Sequence, residues 1–287
     1  MPKRWLNLST MSERLANSLG AGASVSPLMA AKPDAEGRMI DRRLNIYYFY
    51  NKSLIMEGHM LNGTEVANLL RERGFTHIYH ANTAATALSF LRNGGLLSRQ
   101  YVESSPATSF QTIQASDTKD KQFGIYNDIF FDAKNIWECN CICFYGPVIF
   151  EYAIQVLEGK SNVAIMKKNP QNCESEPEYF SSFLEVTEKH FVPEYWEFGE
   201  HITLRHQSKV DFTYLQRVIV YMPPENIDLS ISDPRNSPYD ACEDLRRACS
   251  AHRIAHEAKQ MTKAQWDAIT AVGRFYGFRS CVPCCVS

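Results

Sequence analysis

The sequence predicts an α+β protein. Three observations carry this: strand-like segments are scattered among short helix patterns without regular strand–helix–strand alternation, helix starts carry cap residues, and the last fifty residues read as helical. Residues 1–40 are rich in Ser, Ala, Gly and Met with little periodicity, which predicts a poorly ordered arm. A single domain is expected over 41–287, with 238–287 as its helical C-terminal extension.

In order along that domain, "LNIYYFY" (44–50) has the aromatic and β-branched content of a strand. "GTEVANLLRERG" predicts a helix capped by Thr64, with Val66, Leu69 and Leu70 on one face and Gly74 as its stop. "FTHIYHANT" (75–83) alternates as a strand ending at His80. Thr83 caps the next helix, "AATALSFLRN", which Gly94-Gly95 terminate. Further strands are expected at 127–132, 141–154, 162–166, 201–206 and 215–222, with an acidic, aromatic-rich helix near 175–190. Thr262-x-x-Gln265 has the capping-box pattern, opening a last helix with Trp266, Ile269 and Val272.

With 287 residues and 45% hydrophobic content, the chain has material for a sizeable core. Its net charge of −2 provides no overall field for a polyanion, so a nucleic acid must be met through a local patch. The N-terminal residues contain no continuous apolar run of signal length, and the longest apolar stretch is interrupted by Gly146-Pro147. The expectation is a cytoplasmic protein without a membrane partner. Cys139, Cys141 and Cys143 share one face of a strand and do not bridge one another, so reduced thiols are expected. The closing "CCVS" fits a prenylation box in form only, because no polybasic segment precedes it; a frayed tail is the simpler reading, and no metal is expected. There is no Rossmann fingerprint, no P-loop and no internal repeat.

Three pieces can carry chemistry. His80 at a strand end reads alone as a hydrogen-bonded structural histidine. "QFGIYNDIFFDAKNI" places Tyr126 and Phe130 close to Asp128 and Asp132, which alone read as core aromatics and solvated carboxylates. Glu200 opens an alternating strand, where a carboxylate is ordinarily exposed. Asp211 lies in a stretch, "SKVDFTYL", that reads as a connecting turn, so it is taken as structural.

Together these pieces, in this order, resemble the signatures of the ADP-ribosyltransferase superfamily, in its poly(ADP-ribose) polymerase-like branch and its bacterial nucleic-acid-modifying toxin branch. "IYHANTAATALSFLRNGGLLSR" is similar to the first signature, "NDIFFDAKNIW" to the second and "GEHITLRHQSKVDFTYLQRVIV" to the third. The resemblance implies a split β-sheet core and NAD consumed as a substrate. It implies that His80 orients the adenosine-side ribose, that Asn82, Thr83 and Gly95 line the NAD cleft, and that Arg99 meets the NAD phosphates. It places Phe130 where that branch stacks a tyrosine on nicotinamide, with Tyr126 as the alternative in another register. Glu200 falls on the catalytic glutamate. Phe198, two residues before it, stands where the arginine-modifying branch has an acidic or amide side chain, which disfavours an arginine acceptor. Tyr195, Trp196 and Phe198 instead form an aromatic loop for target recognition, able to stack on a base. The function implied is a mono-ADP-ribosyltransferase acting on RNA or DNA, a toxin of a toxin–antitoxin or antiphage system with a neutralising antitoxin. Transfer to a protein side chain, NAD glycohydrolysis and a non-catalytic binding module are the alternatives.

Overall fold

Helices form where the sequence supplies a cap and a stop, and the computed structural model shows both devices. It describes residues 60–104, 123–138, 146–167, 177–191, 200–225 and 238–271, together with two short antiparallel strands, β1 (Lys32–Pro33) and β2 (Met39–Ile40). The chain divides into two compact units, Met1–Met56 and Glu57–Ser287. The strand expected at 44–50 lies outside the described residues.

In the second unit, helix α1 (Gly63–Glu72) is capped by Asn62, whose side chain accepts from the Thr64 and Glu65 amides. The expected cap, Thr64, instead accepts a hydrogen bond from the Gly159 amide through its hydroxyl. The following strand β3 (His77–Asn82) runs two residues past His80 before Thr83 caps helix α2 (Ala84–Asn93), accepting from the Thr86 amide. Gly94 closes that helix in the left-handed region at φ 66°, which glycine adopts without a Cβ clash. Strand β4 (Gly95–Leu97) and helix α3 (Arg99–Ser104) follow.

The remaining strands are β5 (Ile129–Asp132), β6 (Val148–Ala153), β7 (Val163–Met166), β8 (His201–Leu204), β9 (Lys209–Asp211) and β10 (Leu215–Met222). Helix α4 (Pro238–Ala251) leads to β11 (Ala255–Gln260) and helix α5 (Lys263–Ala271). The larger sheet has seven strands in the order β11-β10-β6-β3-β5-β8-β7, antiparallel except for the β10–β11 pair. β4 and β9 pair separately, so "SKVDFTYL" is partly strand rather than only a turn.

Two expectations need correction. The stretch near 175–190 contains no α-helix among its described residues: Tyr179 bridges to Met166 on the edge strand, and only a short 3-10 turn, Phe183–Glu185, follows. The C-terminal region is not wholly helical either, because β11 joins the main sheet parallel to β10. No helix among the described residues is long and apolar enough to cross a membrane.

The feature that positions the site is a pinch in the sheet. β3 pairs with β6 through six residues and β5 with β8 through four, whereas β3 and β5 share the single pair Tyr79↔Asp132. Beyond that pair the sheet splits. The imidazole of His80 enters the gap and bonds the Phe130 carbonyl at 2.6 Å, a side chain standing in for a missing ladder hydrogen bond. Past the end of β5 the chain is tied to the far half: Asn135 Nδ2 donates to the Tyr221 hydroxyl at 2.7 Å, and the Trp137 ring stacks on Tyr221 at 5.3 Å. The sheet is therefore a split α+β core, its two halves sharing one strand pair and the stretch after β5 tied back to β10.

A candidate active site at the split of the sheet

The three sequence pieces, far apart in the chain, lie on three adjacent strands, β3, β5 and β8. Alternation along each strand then sorts their side chains by face. His80 lies in register with Phe131, whose ring is 6.1 Å away, and Phe131 with Ile202; Glu200, two residues before Ile202, belongs to the same side.

Burial pushes the His80 pKa below its ordinary value, partly opposed by the Phe130 carbonyl and the Asp132 charge. In the neutral ring Nδ1–H donates to that carbonyl, so Nε2 is left as an acceptor. The Phe90 ring, from α2, closes the other side of the imidazole at 5.7 Å. One strand-turn on, Asn82 has a buried Nδ2 without a hydrogen-bond partner, an amide donor that a ligand would satisfy.

Glu200 is half-buried at the start of β8, and its Oε1 is buried without a partner. Burial raises its pKa above the ordinary carboxylate value; the Glu200 and Phe191 backbone N–H groups and the charges of His190 and Lys134 act in the opposite direction. An oriented, incompletely solvated carboxylate of this kind can stabilise a developing cation or take a proton.

The opposite face is also polar. Asp132 and His201 form a buried pair at 2.8 Å, and Asp128 and Arg205 another at 2.7 Å, with Arg205 over the Tyr179 ring. The two aspartates are thus buried and paired, not the solvated carboxylates expected, because both project inward from a strand covered on its two faces. Phe130 projects to this second face, packing against Ala164, Met166 and Tyr179, and gives His80 its carbonyl. The aromatic ring on the His80 side is Phe131.

Thr83 is the α2 cap, beside Asn82. Gly95 pairs with Asp211 in the β4–β9 sheet, where a Cβ would fall 2.5 Å from the Val210 carbonyl oxygen; close strand approach accounts for the glycine. Tyr126 precedes β5, at the end remote from Glu200, and its carbonyl accepts from the Gln100 amide next to Arg99, so these two candidates share one end of the split. Tyr195, Trp196 and Phe198 lie outside the described residues.

Sequence reasoning missed four participants: Lys134, His190, Phe191 and Gly146. Gly146 sits at φ 123°, where a Cβ would come within 2.4 Å of the Asn82 carbonyl oxygen. A Gly-Pro pair was the only available signal for it. Phe191 is left-handed at φ 52°, a conformation that a phenylalanine does not announce. Among the described residues, no cluster of three or more His, Cys, Asp or Glu side chains is placed to hold a metal ion.

No protein-family model matches the sequence, and no curated protein sequence does. Among solved structures the chain is similar to DarT of Thermus sp. 2.9 in complex with ADP-ribosylated ssDNA, with a TM-score of 0.41 and 11% identity over 67% of this chain and 95% of that one. It is similar to the same protein in complex with carba-NAD+, with a TM-score of 0.38 and 11% identity over 66% and 97% of the two chains. In complex with NAD+, the figures are 0.36 and 11%, over 67% and 96%.

Proposed function

We propose that this chain is a mono-ADP-ribosyltransferase that cleaves NAD and transfers ADP-ribose to a nucleic-acid base, RNA or DNA. The observation that carries the reading is Glu200: a half-buried carboxylate with one unpartnered oxygen, on the same side of a parted sheet as a histidine with a fixed tautomer. The orphaned polar atoms of Glu200 and Asn82 suit a polar substrate that completes their hydrogen bonds.

In this reading NAD is a substrate. His80 Nε2 accepts from a ribose hydroxyl, Asn82 donates to the same half of the molecule, and Arg99 and Tyr126 serve the far end of the split. Glu200 bonds the nicotinamide-side ribose and opposes the positive charge that develops as the bond from C1′ to the nicotinamide nitrogen breaks with its electron pair. The acceptor atom then bonds C1′ and loses its proton. Because the carboxylate interaction strengthens in the transition state, its loss lowers kcat far more than NAD binding.

The test is incubation of purified protein with labelled NAD and, separately, RNA, single-stranded DNA and a cell protein extract. Label on one nucleic acid is expected, and Glu200→Gln should reduce its rate on the order of 100-fold or more with KM for NAD changed little. Label on protein would move the acceptor class, label only in free ADP-ribose would make the chain a glycohydrolase, and no turnover would leave a binding module. A role as a toxin with a neutralising antitoxin predicts growth arrest on expression of the wild type and not of Glu200→Gln.

A further inference from the structure

The apolar residues of β5 and β8 do not by themselves say which face of these strands is which. β5 carries Ile129 and Phe131 on one face and Phe130 on the other, β8 alternates Ile202 and Leu204 with Thr203, and β7 beside it is apolar throughout. A strand with apolar side chains on both faces has a weakly specified register. Charge is what tells the two faces apart. Asp132 stands opposite His201, with Oδ1 and Nδ1 2.8 Å apart, and Asp128, directly before β5, meets Arg205, directly after β8, at 2.7 Å. Each stretch spaces its two charged residues four apart, so the register that opposes Asp132 to His201 and Ile129 to Leu204 also opposes Asp128 to Arg205. The two buried pairs thus bracket the ladder at its ends and share one face. The turn after β8 is tied into the second pair, since the His206 amide, at φ 51°, donates to Asp128 Oδ1 at 2.9 Å.

A slip of one, two or three residues in either direction breaks both pairs, and a slip of one sets Asp132 against Glu200 or turns it toward Ile202. Either slip of one also carries Glu200 to the face away from His80. Asp132 is in addition the residue whose backbone pairs with Tyr79, the neighbour of His80, so a single residue registers both β3 and β8. We propose that Asp132–His201 and Asp128–Arg205 are the register keys of the split sheet, buried ion pairs that hold Glu200 on the face of His80. Such pairs add little net stability, because desolvation offsets their attraction, and fixing register is their best-attested use. Asp132 and His201, the pair nearer Glu200, are positioning residues that do not touch the substrate. This rests on the reading of Glu200 as the reactive carboxylate, but its first readout does not need NAD.

Replacing both members of one pair separates registration from stability. In Asp132→Val/His201→Val, two β-branched residues of similar summed volume take the place of the ion pair; Asp132→His/His201→Asp restores an ion pair in the same register with its charges exchanged. Denaturant midpoints, amide hydrogen exchange along β8 and nicotinamide release are measured on the full chain. The valine variant should be about as stable as wild type, exchange faster along β8, and lose about 10-fold or more in kcat with KM for NAD changed less. The exchanged pair should recover both protection and kcat. Wild-type kcat or unchanged exchange in the valine variant would overturn the proposal. So would a loss of stability that accompanies the loss of activity, or an exchanged pair that recovers neither. Faster exchange in the valine variant of a protein whose wild type leaves NAD intact would instead sink the reading of the reaction and keep the register keys.

Discussion

His80 and Glu200 are displaced from their ordinary pKa values in opposite directions by the same cause, burial that disfavours the charged form, and both displacements cost stability over a definable pH range. His80 and, beside α4, His256 have pKa values lowered by burial, so the unfolded chain binds their protons more readily. Stability from these groups is complete above about pH 6.5, their unfolded value, and falls as pH drops through the folded values. Glu200 is raised, so its contribution is present below about pH 4.3 and is lost as pH rises through the folded value. On going from pH 7 to 5 the denaturant midpoint of wild type should therefore fall relative to that of His80→Gln, and at pH 7 Glu200→Gln should be at least as stable as wild type. A destabilised Glu200→Gln would mean that the carboxylate is structural. The sequence singled out both residues through strand-like alternation, Glu200 at the opening of β8 and His80 in β3, although β3 runs on to Asn82. Their supports were not legible there: the identities of Phe191 and Lys134 say nothing of a positive φ or a buried turn, which long-range packing imposes.

At the level of elements, capping chemistry was readable where it was local. Thr83 and the Thr262–Gln265 box bond as their spacing predicts, the latter at 2.8 and 3.2 Å. β11 shows what was not. "AHEAKQ" has helix-forming residues, yet it is drawn into the sheet because α4 returns it alongside β10, and tertiary pairing overrides propensity. The site was likewise divided by element: strand periodicity gave β3, β5 and β8, but a register one residue either way exchanges Phe130 for Phe131 between faces. The loop glycine before β6 provides a test at this scale. Gly146→Ala must displace the Asn82–Thr83 backbone, since its Cβ would lie 2.4–2.6 Å from those atoms. The expected outcome is a loss of about 2 kcal/mol in chemical denaturation, together with a lower kcat/KM for NAD. Full activity would place the NAD ribose away from Asn82.

Across the whole molecule, the split does not divide the sequence into two halves. β6, β10 and β11 stand with β3 on one side, and β7 and β8 with β5 on the other. The chain crosses between them from β3 to β5, β5 to β6, β6 to β7 and β8 to β10, which is four passages. Neither side can thus be released by a single cut, and neither is a folding unit in its own right. Unfolding of Glu57–Ser287 should appear as one transition, with tryptophan fluorescence and far-ultraviolet dichroism superimposable; two separated transitions would contradict this topology. The same weave has a kinetic consequence. Most strand pairings join residues distant in the chain, so loops must close before the contacts that reward them form, and refolding should be slow. Until all four passages are complete, the edges of β3 and β5 that later flank the cleft stand open as adhesive backbone, and the nascent chain is then most exposed to mispairing with its neighbours.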